Sequence, residues 1–95
     1  MSLVIVDVPE RSRYEAHLDD VPVGVLEYVV KRERVALVHT EVFAGYEGRG
    51  IAAGLARFAL DDARRRELRV IPSCPYVKRY LETHPADHDI VVGLS

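Results

Sequence analysis

Between residues 42 and 55 the chain reads Val42-Phe43-Ala44-Gly45-Tyr46-Glu47-Gly48-Arg49-Gly50-Ile51-Ala52-Ala53-Gly54-Leu55. An apolar run ends, a glycine-rich bend follows, and a helical pattern begins at once. That order aims unpaired backbone N–H groups, and the positive end of a helix dipole, at one small volume, which then attracts phosphate. Other residues offer proton chemistry. His39 and Glu41 lie two apart in a strand-like run, so they share a face, and either can accept a proton. Cys74, Tyr76 and Tyr80 add a thiol and two phenols. His84, Asp87, His88 and Asp89 are close in sequence, but their spacing matches no metal-ligand motif. They read as surface residues, and no metal is expected.

Several readings of the glycine bend compete. A P-loop needs Gly-Lys-Ser/Thr, and Gly50 is followed by Ile51-Ala52, so that reading fails. Gly48-Arg49-Gly50-Ile51-Ala52-Ala53 satisfies the dinucleotide pattern G-x-G-x-x-A literally. That fingerprint belongs near the start of a parallel sheet, with an acidic residue after the next strand. Here four antiparallel-type segments come first, and the next strand ends at Pro72-Ser73-Cys74, which carries no acid. The plainest alternative is a tight strand-to-helix turn in which glycines supply positive φ and nothing binds.

The elements that must position these groups follow from pattern. Leu3 to Val8 is β-branched and apolar and stops at Pro9. Arg13 to Leu18 alternates polar and apolar, as a half-buried strand does. Asp19-Asp20 before Val21-Pro22 supplies a turn. Val23 to Val30 reads as a third strand broken by Gly24, Lys31-Arg32-Glu33-Arg34 as a charged turn, and Val35 to Phe43 as a fourth strand. Close spacing favours antiparallel hairpins. Ile51, Leu55, Phe58, Ala59 and Ala63 then recur at helical spacing from Gly50 to about Arg66, with Arg57, Asp61, Arg64 and Arg65 on the other face. Leu68 to Ile71 is a short strand stopped by Pro72, and a right-handed crossover lays it parallel to the fourth. Pro75 opens a second helix that runs to about Thr83. Ile90-Val91-Val92 is either a last short strand or an apolar tail.

The 95 residues carry a net charge of −2 and are 48% hydrophobic. That bounds one domain, residues 1–95, with a packed core, and argues against a protein that coats nucleic acid. The basic groups Arg64-Arg65-Arg66, Arg69 and Lys78-Arg79 read as a solvated helix face. The lone Cys74 forbids an internal disulfide, which suits a reducing cytoplasm. The N-terminus does not read as a signal peptide, and no uncharged apolar run is long enough to span a bilayer, so no membrane partner is expected.

Three segments carry a resemblance: His39-Thr40-Glu41-Val42; Glu47-Gly48-Arg49-Gly50-Ile51-Ala52; and Pro72-Ser73-Cys74-Pro75-Tyr76-Val77 with Tyr80-Leu81-Glu82-Thr83-His84-Pro85. In this order, and clearest from Val23 to Pro85, they resemble the GNAT superfamily of N-acetyltransferases, and most closely its small single-domain type. The superfamily's central motif, Gln/Arg-x-x-Gly-x-Gly/Ala, falls on residues 47–52. Gly50 and Ala52 match, while Glu47 departs from Gln or Arg. The resemblance implies an α+β fold with a mixed sheet: mostly antiparallel N-terminal strands, then strand–loop–helix–strand–helix, with the last two strands splayed. It also implies acetyl-CoA as cofactor and an amine, small or a protein lysine, as acceptor. The two helices that cover the acceptor side in full-size relatives are missing here, so that side should be open or completed by a partner.

On this resemblance the pyrophosphate of coenzyme A rests on the N–H groups from Arg49 to Gly54. The bend's Glu47, Gly48, Gly50, Ile51, Ala52 and Ala53 form the rest of the cradle. The pantetheine arm enters the splayed gap as an extra strand, with Val42 and Phe43 as backbone partners. Glu41 or His39 acts as base, and a backbone N–H near Val42 meets the oxyanion. Tyr80 falls where the superfamily's acid tyrosine falls; alternatively Tyr76 and Tyr80 are one packed helix face. Cys74, at the head of the second helix, takes the acetyl group, meets the thioester, or fills space. Two functions stay open: acetyl transfer to an amine, or a module that binds CoA with little turnover.

Overall fold

Leu3–Val8 (β1) extends because its β-branched side chains suit a pleated surface, and Pro9 closes it into a 3-10 turn, Pro9–Arg11. The computed structural model describes residues 2–92; residue 1 and residues 93–95 lie outside that description. Three antiparallel strands follow: β2 (Arg13–Leu18), β3 (Val21–Lys31) and β4 (Arg34–Val42). The β2–β3 turn holds Asp19 and Asp20 at φ of 49° and 69°, the left-handed pair that matches the twist of a tight hairpin.

The third strand is longer than Val23–Val30, and Gly24 does not break it. Gly24 is the point where a helix crosses the sheet. A Cβ built there would stand 3.0 Å from the Glu41 carbonyl oxygen and 3.1 Å from Ile51 Cγ2. The glycine in this strand therefore serves close approach of a helix to the backbone.

That helix, α1 (Ile51–Arg65), leads to β5 (Arg69–Pro72), which pairs parallel to β4 and gives the sheet order β1-β2-β3-β4-β5. α2 (Pro75–Glu82) follows, then a 3-10 segment, Pro85–Ile90. Ile90-Val91-Val92 forms no strand, only a parallel bridge of Val91 to Val70. Leu55, Ala59 and Leu60 of α1 and Val77 and Leu81 of α2 share one core with Leu26, Leu37 and Val70 of the sheet. Both helices therefore lie on the same face. The architecture is the α+β mixed sheet that the resemblance implies.

Charged residues on and beside α1 bear on two expectations. The arginines at its end are exposed, as expected, but they are also ion-paired. Arg66 reaches Asp7 at 2.7 Å, Arg64 reaches Asp89 at 2.8 Å, and Arg65 pairs with Asp62. Asp87 is not a surface residue. It is 4% exposed and takes two bonds of 2.8 Å from Arg57. The Arg57 hydrogen bond holds its carboxyl below the usual range. His84 and His88 serve α2, where Nδ1–H of His84 donates to the Tyr80 carbonyl and Nε2–H of His88 to the Leu81 carbonyl, both at 2.6 Å. These bonds satisfy carbonyls that the end of a helix leaves open.

Candidate functional site

The site begins with β4 outlasting β5. The parallel ladder runs from Arg34↔Arg69 to Leu37↔Pro72. Pro72 has no N–H to extend it, Cys74 N–H closes onto the Leu37 carbonyl at 2.8 Å, and α2 starts at Pro75. Residues 38–42 of β4 continue with no strand on that side among the described residues. The gap is open.

A bulge then sets what faces the gap. Glu27 pairs with His39 and Tyr28 with Leu37, which leaves Val38 as the extra residue. Beyond it Phe43 N–H donates to the Val23 carbonyl at 2.9 Å. Backbone direction alternates along an antiparallel strand, so His39 and Glu41 bond toward β3 while Thr40 and Val42 turn their N–H and C=O across the gap. This corrects the placement of Phe43, whose N–H is held by Val23 and whose carbonyl accepts from Tyr46 N–H at 3.1 Å. Thr40 is the partner that sequence reasoning missed. Its spacing of two from Val42 was the available signal.

Across the gap stands the head of α1. Gly45, Gly48 and Gly50 have φ of 92°, 79° and 76°, and a Cβ on any of them would meet no atom within 4 Å. The bend is thus bare backbone with room in front of it. The N-cap, Gly50, has no side chain to cap α1, and no acidic residue sits in its first turn. Ile51, Ala52 and Ala53 are therefore donors without an intrahelical acceptor. Gly54 is corrected: its N–H donates to the Gly50 carbonyl at 3.0 Å, and its Cα faces Ile5 and Leu3 of β1. The Glu47 carboxylate accepts from Gly45 N–H at 2.9 Å and so braces the bend. The Arg49 guanidinium lies 5.6 Å from the centre of the Tyr46 ring.

These parts enclose a cleft of about 210 Å³ between Val42 and the α1 head, with Gly48, Gly50, Ala52 and Ala53 on one wall and Tyr46 and Tyr76 on another. Tyr76 is a second residue that sequence reasoning underrated. Its burial, and then Tyr80 beside it, raise the phenol above its ordinary value, so it stays protonated at neutral pH. Tyr80 does not line the cleft. Its ring stacks on His84 at 3.8 Å and lies 6.4 Å from Tyr76.

Cys74 corrects its catalytic assignment. It is 3% exposed, belongs to the core, and its Sγ lies 3.2 Å from Thr40 Oγ1. A thiol so placed packs β4 against α2 and does not face the cleft. His39 and Glu41 point the other way, onto the sheet face that carries no helix. Their Nε2 and Oε1 are 3.8 Å apart, with both side chains more than half exposed. The cleft and the proton acceptors thus lie on opposite sides of β4, joined by the gap. Among the described residues no group of His, Cys, Asp or Glu could hold a metal ion, and no helix is long and apolar enough to cross a membrane.

Comparison with known proteins bears on the family and the fold. The family model described as GCN5-related N-acetyl-transferase matches residues 13–90. The chain is 39% identical over 79 residues to Protein NATD1 of Mus musculus, covering 80% of this chain and 71% of that protein. It is 44% identical over 66 residues to Protein NATD1 of Homo sapiens, covering 70% of this chain and 58% of that protein. The match thus leaves a substantial part of these relatives uncovered. Among solved structures, a GCN5-like protein from Staphylococcus aureus superposes with a TM-score of 0.73 at 23% identity, over 98% of this chain and 91% of that one. Ribosomal-protein-alanine N-acetyltransferase from Brucella melitensis gives 0.58 at 19% identity, over 87% of this chain and 62% of that one. Likeness at such identity speaks for the fold.

Proposed function

The chain belongs to the GCN5-related N-acetyl-transferase family, and from that premise we propose that it binds acetyl-CoA and moves the acetyl group to an amine. One observation carries the reading: an uncapped helix head and an unpaired strand edge face each other across a single cleft. The residues fit such a cofactor. Ile51, Ala52 and Ala53 N–H groups, with the α1 dipole behind them, suit a pyrophosphate. Thr40 and Val42 offer N–H and C=O groups to an amide-bearing arm, as an added strand would use them. When bound, acetyl-CoA supplies an activated acetyl thioester. His39 and Glu41 stand ready to take the proton of an acceptor ammonium from the open face. Tyr76, which lines the cleft, holds a proton at its hydroxyl, and Tyr80 beside it is the alternative donor. A cytoplasmic setting goes with this reading, on the ground of the single thiol.

The second reading is a CoA-binding module with little turnover. The engaged Glu47 carboxylate and the helix-free acceptor face favour it. Backbone amide titration with CoA and acetyl-CoA tests both. Shifts are expected at Gly48, Gly50, Ile51, Ala52 and Ala53, and at Thr40 and Val42. An unmoved bend would sink both readings. Labelled acetyl-CoA with an amine panel then separates them, and Tyr76→Phe and Tyr80→Phe rates identify which phenol gives up its proton.

A further inference from the structure

The face of the sheet opposite the helices carries Arg13, Glu15 and His17 on β2, Glu27 on β3, and His39 and Glu41 on β4 in register, while Lys31, Arg34 and Arg69 lie on the same face at its far end, Lys31 about 13 Å along β3 from Glu27. The three on β2 satisfy one another. Arg13 reaches Glu15 Oε2 at 2.7 Å, and His17 Nε2 lies 3.2 Å from Glu15 Oε1. The Arg13 hydrogen bond holds the Glu15 carboxyl below its usual range. Glu27 is left over. It sits in register between Arg13 and His39, but Arg13 is turned to Glu15, and the Glu27 carboxylate has no ion pair or hydrogen bond among the described residues. Glu41 has only His39, at 3.8 Å. Two exposed carboxylates therefore flank the imidazole, with no cation held against either at close range.

Their spacing and surroundings say what fits. Glu27 is opposite His39, so Glu27 and Glu41 are diagonal neighbours, about 7–8 Å apart. An extended polypeptide places residues i and i+2 on one side about 6.5–7 Å apart. No helix walls this face, and small amines are usually bound in concave sites. A flat surface instead suits a polypeptide segment lying across it, and Val4 and Val6 beside it, 50% and 40% exposed, supply apolar contact.

Resting on the acetyl-transfer reading, we propose that the open sheet face receives an extended basic polypeptide, with the reacting lysine at His39 and Glu41 and a second Lys or Arg two residues away at Glu27. The lysine Nζ loses a proton to His39 or Glu41 and forms the C–N bond as the thioester C–S bond breaks. The departing sulfur takes up a proton, and the products are N-acetyl-lysine and free CoA.

The test compares kcat/KM for Gly-Lys-Gly-Arg-Gly and Gly-Lys-Gly-Gln-Gly, both blocked at the N-terminus and each with one reacting lysine, with spermidine as a small polycation. The wild type should prefer the dibasic peptide by about two- to fivefold, the range of one exposed ion pair. The preference should shrink as salt rises. In Glu27→Gln it should fall to about one, and in Glu27→Lys it should pass to Gly-Lys-Gly-Glu-Gly. Circular dichroism and acetyl-CoA affinity of each variant confirm that it is folded. An unchanged preference in both variants overturns the proposal, as does faster acetylation of spermidine than of either peptide. Acetyl-CoA binding with neither peptide acetylated also overturns it and leaves the cofactor reading standing. Loss of acetyl-CoA binding by the wild type brings down that reading and this one together.

Discussion

Replacing Gly54 with alanine should make this protein more stable without weakening the proposed cofactor site. Gly54 lies inside α1, where glycine is about 0.8–1 kcal/mol less favourable than alanine. Its φ is not in the left-handed region, so no strain opposes the change. The added Cβ meets Ile5 Cδ1 at 3.3 Å and Leu3 Cδ2 at 3.6 Å, both tips of flexible side chains, and Leu3 is 40% exposed. Moving Ile5 by a few tenths of an ångström offsets part of the gain. A net stabilisation of about 0.5–1 kcal/mol remains, which for a domain of this size raises Tm by about 2–8 °C. Thermal and urea denaturation followed by circular dichroism measure it. Acetyl-CoA affinity should stay within about twofold, because the Gly54 amide is already spent on the Gly50 carbonyl. A lower Tm would mean that the helix cannot accept a methyl group against β1. A clear loss of affinity would mean that the cradle extends deeper into the helix than its hydrogen bonds allow.

The other glycines should respond in the opposite sense. Gly24→Ala brings a methyl group to 3.0 Å from the Glu41 carbonyl oxygen, which the β3–β4 ladder fixes. A loss of about 1–3 kcal/mol is expected in urea unfolding. Gly50→Ala has space but must hold φ near 76°, so it should cost about 1–2 kcal/mol, and Gly50→Asn less, with acetyl-CoA affinity falling alongside. Asp87→Asn should destabilise by about 1–3 kcal/mol near neutral pH, because two charge-assisted bonds from Arg57 are weakened. The folded carboxyl of Asp87 is held below its unfolded value, chiefly by the Arg57 hydrogen bond. Its contribution is therefore full above the unfolded pKa of about 3.9 and is lost as pH falls through the folded one. The gap between wild-type and Asp87→Asn stability should close as the medium is acidified, and a gap that widens would refute the assignment.

Most of the element order was legible in the residues. β-branched runs, prolines at 9, 72 and 75, and the three-to-four spacing of Ile51, Leu55, Phe58 and Ala59 are local signals, and local sterics set the elements they mark. The parallel placement of β5 followed from chain handedness. What went unread was which of several similar groups remains unsatisfied. Phe43 and Val42 are neighbours in sequence, yet one amide is held by Val23 and the other faces the gap. The difference is pairing parity, which a single bulged residue, Val38, shifts. Asp87 and Asp89 look alike in sequence, and only the first is buried under Arg57.

The sequence by itself determined that a bare glycine bend would join a strand to a helix with no capping side chain, because positive φ and the absence of a cap belong to the residues themselves. The tertiary structure alone decided that Gly54 would be spent, that Cys74 would be sealed in the core, and that Tyr76 would line the cleft. It also decided that Glu27 would stand beside His39 on a face no helix covers. Those outcomes depend on partners that long-range pairing brings together, and no local rule specifies them.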